Sequence, residues 1–115
     1  MAVKTGNDYE RNQHERLCIK LDFGHEWVRQ VEQLDPENQA LMSEAERAAQ
    51  AYTLAAMSRF GKDCKAEFDR VLDALEISEA VGVAMLVGRY MTHAVAVNTL
   101  DLTPPKPSIF EETTS

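Results

Sequence analysis

"AVGVAMLVGRYMTHAVAVNTL", residues 80–100, decides the fold class, because so long an apolar run reads either as a membrane span or as the innermost helix of a bundle. Arg89 and His93 fall in its middle, and a charged Arg at the centre of a bilayer costs about 3 kcal/mol. The run also lacks basic flanks and an interfacial Trp. It is therefore expected to be the central, fully buried helix of a helical bundle, with a subunit interface as one place for it and no membrane partner. Burying Arg89 unpaired would cost several kcal/mol, so it is expected to meet a carboxylate or to line a cavity. Glu10, Asp69 and a carboxylate of another subunit are the candidate partners.

Working outward, Cys64, Phe68, Val71, Leu72 and Leu75 give the preceding segment an apolar stripe at helical spacing, and Ser78 is placed to start the long helix. Before that, Ser43 and Glu46 form an S-x-x-E capping box, and Gly61 is the expected C-terminal cap. The face of Ala45, Ala48, Ala49, Tyr52 and Ala56 between them is small enough for a neighbouring helix to approach closely. Asp8 is expected to cap a first helix running to about Leu21, with residues 1–7 disordered or extended. A short helix over Glu26 to Leu34 follows the Gly24 turn and stops before Pro36. No segment alternates with the period of a strand. The expectation is one all-α domain of about five helices over residues 1–115, with residues 101–115 as an extended, Pro-containing arm whose Ile109 and Phe110 need a docking place in cis or on another subunit.

Composition narrows function. The chain has 115 residues, 44% of them hydrophobic, which suffices for one small core. Twelve Lys and Arg against 19 Asp and Glu give a formal charge of −7, which opposes a phosphate backbone and argues against a nucleic-acid partner. Cys18 and Cys64 belong to no C-x-x-C pair, so they read as free, largely buried thiols of a cytoplasmic protein, and "MAVKTGNDYE" has no apolar leader segment. There is no Gly-rich phosphate loop, H-E-x-x-H, G-x-S-x-G or Asp cluster, so neither nucleotide nor metal chemistry is expected.

The candidate chemistry lies in "NDYERNQHERLCIKL", residues 7–21, where Glu10 and His14 continue the stripe of Leu17, Cys18 and Leu21 and so are expected to face the core or a cleft. A carboxylate one turn before an imidazole can hydrogen-bond it and fix its tautomer, giving an acid/base unit that works near neutral pH. The spacing alone also fits a structural pair. Arg89 and His93 make a second pair one helical turn apart, open to a structural ion pair or to an anion-binding role. Tyr90 and Asn98 read as hydrogen-bonded packing residues, and His25 as a turn residue.

At "DYERNQHERL", "MSEAERAAQAY" and "LVGRYMTHAVAVNTLDLTPP" the chain resembles the carboxymuconolactone decarboxylase-like family, whose fold is shared with alkylhydroperoxidase D. The family pattern Y-E-W-x-x-H is matched by Tyr9, Glu10 and His14, with Arg11 in place of the Trp. Ser43, Glu46 and Arg47 match its S-x-x-E-R helix, and Gly88, Tyr90, Asn98 and Leu100 match its G-x-Y helix ending in N-x-L. In the thiol-dependent branch C-x-x-C-x-x-x-H supplies a redox pair, but Asn7 and Glu10 stand at those cysteine positions here, so thiol peroxidase activity is the least favoured reading.

The resemblance implies a homo-oligomer that performs acid/base chemistry on a small cyclic organic acid or lactone without metal or organic cofactor. Glu10 and His14 would be its catalytic residues, and Tyr9, Arg89 and His93 would contact the substrate. Family members usually carry helices ahead of the Y-E-W-x-x-H segment, so the domain is expected to be N-terminally shortened, its pocket either open or closed by another subunit. A non-catalytic oligomer that binds a ligand or partner is the alternative.

Overall fold

The computed structural model describes residues 1–111, which form six α-helices and one 3-10 turn; no strand occurs among them. In chain order the helices are α1 (Ala2–Thr5), α2 (Asp8–Lys20), α3 (His25–Glu32), α4 (Glu44–Arg59), α5 (Lys65–Ala74) and α6 (Ile77–Thr99), with the 3-10 turn at Pro36–Asn38. Five of them have eight or more residues, as the helical spacing predicts.

The caps explain the boundaries. Ser43 Oγ accepts from Glu46 N–H at 3.1 Å while Glu46 Oε1 accepts from Ser43 N–H at 2.8 Å, so the expected capping box opens α4. α6 opens with a second reciprocal box, of Glu76 and Glu79, whose cap lies two residues ahead of the expected Ser78 start. Asn7 rather than Asp8 caps α2, its Oδ1 accepting from Glu10 N–H. α4 ends on Phe60 in the left-handed region (φ 54°), just before the expected Gly61.

The core is an α4–α5–α6 stack. Ala48, Tyr52 and Ala56 of α4 meet Val71 of α5 and Ala80 and Val87 of α6, with Cys64 beside them. The small α4 residues let the helices close, and Phe68 packs edge-on against Tyr52 with ring centroids 5.4 Å apart. α1 bridges α2 to α6, and α3 packs on α2.

Three expectations need correction. Residues 1–7 are neither disordered nor extended: Ala2–Thr5 make a helical turn closed by left-handed Gly6, and Asn98 of α6 donates to Thr5 O at 2.8 Å. α6 is not fully buried. Only Ala80, Val87 and Ala94 are enclosed, while Ile77, Val81, Met85, Leu86 and Val95 are exposed, because two neighbours and a single helical turn cannot surround a 23-residue helix. It remains long and apolar enough to cross a membrane by length and composition.

The third correction concerns α2, whose enclosed face carries Asn12 and Glu15 rather than Leu17 and Leu21, which are 50% and 60% exposed. The arm explains this orientation. Asn12 donates to Lys106 O, Arg16 to Pro107 O, and Ser108 Oγ and Ile109 N–H both donate to Glu15 Oε1. The arm thus docks in cis, with Phe110 under the Arg29 guanidinium at 4.6 Å; residues 112–115 of the expected arm lie outside the described residues.

Candidate functional site

The two expected catalytic residues share a cavity, but they do not pair. Glu10 and His14 both line a space of about 170 Å³ between α1, α2 and α6, together with Asn7 and Tyr90. Glu10 Oε1 sits 3.2 Å from Nδ1 of His93, across the helix interface, rather than on His14 one turn away. An ionised carboxylate can only accept, so in this contact Nδ1 of His93 is the donor. Glu10 is the more enclosed partner, with its side chain 16% exposed against 40% for His93.

Tyr90 joins the two histidines. Its ring meets His14 edge-on at 5.6 Å and His93 edge-on at 5.4 Å, so Glu10, His93, Tyr90 and His14 form a continuous chain of contacts from α6 to α2. Tyr90, read from sequence as a packing residue, is therefore a wall of the site. Its position one helical turn before His93 and on the same face was the available signal.

The other expected substrate contacts lie elsewhere. Arg89 is exposed and forms no ion pair among the described residues, so it meets neither the carboxylate nor the cavity expected of it. Solvent supplies its hydration, which removes the reason for a partner. Tyr9 borders a separate shallow cleft with Val97, Asn98 and Pro104. Among the described residues no three His, Cys, Asp or Glu side chains converge as a metal site requires.

Sequence reasoning missed a second polar cluster on the far side of His14. Arg11 donates to both oxygens of Glu32, at 3.2 and 3.0 Å. Its Nε also lies 3.4 Å from Oε2 of Glu15. Burial and then the adjacent Glu15 carboxyl push Glu32 up to about 7, against the opposing pull of Arg11. Burial works against ionised Glu15 too, yet hydrogen bonds from Glu32, Ser108 and Ile109 and the charge of Arg11 hold it below the usual carboxylate range. The two carboxyl groups titrate as a pair, and their surroundings favour a proton on Glu32 over one on Glu15. Both cysteines are free; the Cys18 thiol beside this pair is pushed up by burial, then by Glu32 and Glu15. No signal in the sequence joins Glu15 to Glu32, since they lie on different helices.

No protein-family model matches the chain, and no curated protein or solved structure does so either.

Proposed function

We propose that this chain is a carboxymuconolactone decarboxylase-like protein with an alkylhydroperoxidase D-like fold, acting without cofactor on a small cyclic organic acid or lactone. The observation that carries the reading is the convergence of Glu10, His14 and Tyr90 on one cavity, with Glu10 clamped from behind by His93. In a decarboxylation the bond to the carboxylate breaks, its electron pair remains as a dienolate, and carbon dioxide leaves. The His14 imidazolium then delivers a proton to carbon, and Glu10, held by His93, orients the substrate. Tyr90 places the His14 ring by edge contact.

The exposed apolar face of α6 supports a homo-oligomer in which a second copy completes the pocket. Two free thiols fit a reducing, cytoplasmic setting. One observation favours the non-catalytic alternative: among the described residues no Lys or Arg side chain lines the cavity to hold a substrate carboxylate.

The test is turnover of a panel of small lactone carboxylic acids by the wild-type protein and by His14→Ala and Glu10→Gln. The reading expects each substitution to lower kcat by about 10²–10⁴-fold, the usual contribution of a positioned acid or base. Turnover that survives both substitutions, or binding without turnover across the panel, would leave the non-catalytic reading in its place.

A further inference from the structure

α6 presents solvent with a face whose two halves differ in size. Ile77, Val81 and Met85 stand exposed along its first half, and Gly88, Thr92 and Ala96 along its second. With Thr99 these positions follow one another at intervals of 4, 4, 3, 4, 4 and 3 residues. That eleven-residue repeat averages close to the about 3.6 residues per turn of a straight helix, so the stripe keeps to one side of α6 from end to end. The large side chains occupy one half of it and the small ones the other.

Gly88 is not explained by its own chain. It lies in the middle of α6 in ordinary helical backbone, where glycine is a poorer helix former than alanine, and a Cβ added there would meet nothing within 4 Å. Thr92 donates its hydroxyl to Gly88 O at 3.1 Å, so it asks no neighbour for a hydrogen bond. The accessible surface, 7435 Å² against about 6,300 Å² for a compact monomer of this mass, exceeds it by more than the roughly 800 Å² that each partner gives to a standard interface.

We infer that two copies of this chain pair through α6 in antiparallel register, Val81 and Met85 of each seated against Thr92 and Gly88 of the other. A twofold axis between Leu86 and Val87, perpendicular to the helices, sets both pairs opposite at once. The same register brings Ile77 against Val95 and Ser78 against Ala96 of the second copy at the two ends. Each bulky residue of the central pairs therefore meets a small one, whereas parallel pairing would set Met85 on Met85 and leave a gap at Gly88. Arg89 falls on the edge of the stripe, so its stem lies along Gly82 of the second copy while its guanidinium stays in water. Gly82 is another position at which a Cβ would meet nothing. Both Arg89 side chains share one edge, where counter-ions screen them. Arg89 and the formal charge of −7 also set this face against a lipid as its occupant. The pairing does not depend on the acid/base reading, and it is read by mass and crosslinking rather than by turnover.

Sedimentation equilibrium of the whole protein from about 5 to 500 µM should show a dimer that dissociates in the micromolar range, as suits an interface built on one helix pair. Gly88→Leu fills the seat of Met85, so it should raise the dissociation constant at least about tenfold, while its better helix propensity raises the thermal midpoint of the dilute single chain. A glycine of merely structural use would not give those opposite signs. Should that variant fail to fold, Thr92→Leu takes its place and is expected to weaken the dimer likewise. Orientation is read with a short bismaleimide crosslinker, the wild-type protein controlling for Cys18 and Cys64. A mixture of Val81→Cys and Thr92→Cys chains should crosslink, and neither variant alone should, because like positions lie about 16 Å apart along an antiparallel pair. A single-chain mass at about 500 µM overturns the proposal, as does a dissociation constant unchanged by the folded variants. So do crosslinking of Val81→Cys alone as readily as the mixture, and single chains that sediment with phosphatidylcholine vesicles, which would give the face to lipid.

Discussion

Glu32 is the residue on which the electrostatics of the chain turn. Its value is raised to about 7, so between the ordinary carboxylate range and neutrality the folded chain holds a proton that the unfolded chain has released. The stabilisation is fully present at low pH and is lost as pH rises through about 7. Glu15, held low, acts in the opposite sense: its contribution is present above the ordinary range and lost as pH falls through its folded value. Stability should therefore peak on the acid side of neutrality and fall by about 1–3 kcal/mol between pH 5 and pH 8. Urea unfolding at a series of pH values would show the decline, and Glu32→Gln should flatten it. The sequence contains both carboxylates but not their meeting, because i to i+4 reasoning sees only partners on one helix. Glu10 teaches the same lesson, taking His93 from 83 residues away over His14 from one turn away.

At the scale of elements, legibility followed local chemistry. The α4 start was readable because Ser43 and Glu46 satisfy each other within one turn, and the α4, α5 and α6 stripes were readable because their buried residues are apolar or small. The rotation of α2 was not, since its enclosed face is polar and the groups that satisfy Asn12 and Glu15 lie 94 and 93 residues downstream. Apolar periodicity pointed to Leu17 and Leu21, which the fold leaves in solvent. The α4 terminus offers a test of a different kind. Phe60 adopts a left-handed conformation that disfavours a β-carbon, yet its side chain is 82% exposed and contributes little burial. Phe60→Gly should raise the free energy of unfolding by about 0.5–1 kcal/mol, measured by chemical denaturation, whereas Gly61→Ala, at φ 79°, should lower it by a comparable amount.

As a whole, the molecule has more surface than its mass calls for. Its accessible area is 7435 Å², against about 6,300 Å² for a compact monomer of this size. Its radius of gyration of 14.7 Å exceeds the roughly 13 Å of a compact chain. The excess is comparable with the roughly 800 Å² that each partner contributes to a standard interface. Met85 at 72% and Val95 at 67% exposure stand on the face of α6 that accounts for part of it. If that face joins copies of the chain, Met85→Glu together with Val95→Glu should shift the mass seen by light scattering to that of one chain while leaving helical circular dichroism intact. An unchanged mass would place any assembly on another face.

The arm that grips α2 also sets an order of events. Helices α4, α5 and α6 follow one another closely along the chain and pack on their neighbours, so their loops close cheaply and early. α2 precedes all three, yet Asn12, Glu15 and Arg16 obtain their partners from residues 106–109. On the ribosome, where synthesis runs from the N-terminus, the helix bearing Glu10 and His14 must wait with its polar face unsatisfied until residues 106–109 have been made. A chain that ends before residue 106 should keep its α4–α5–α6 core but leave Asn12, Glu15 and Arg16 without those partners.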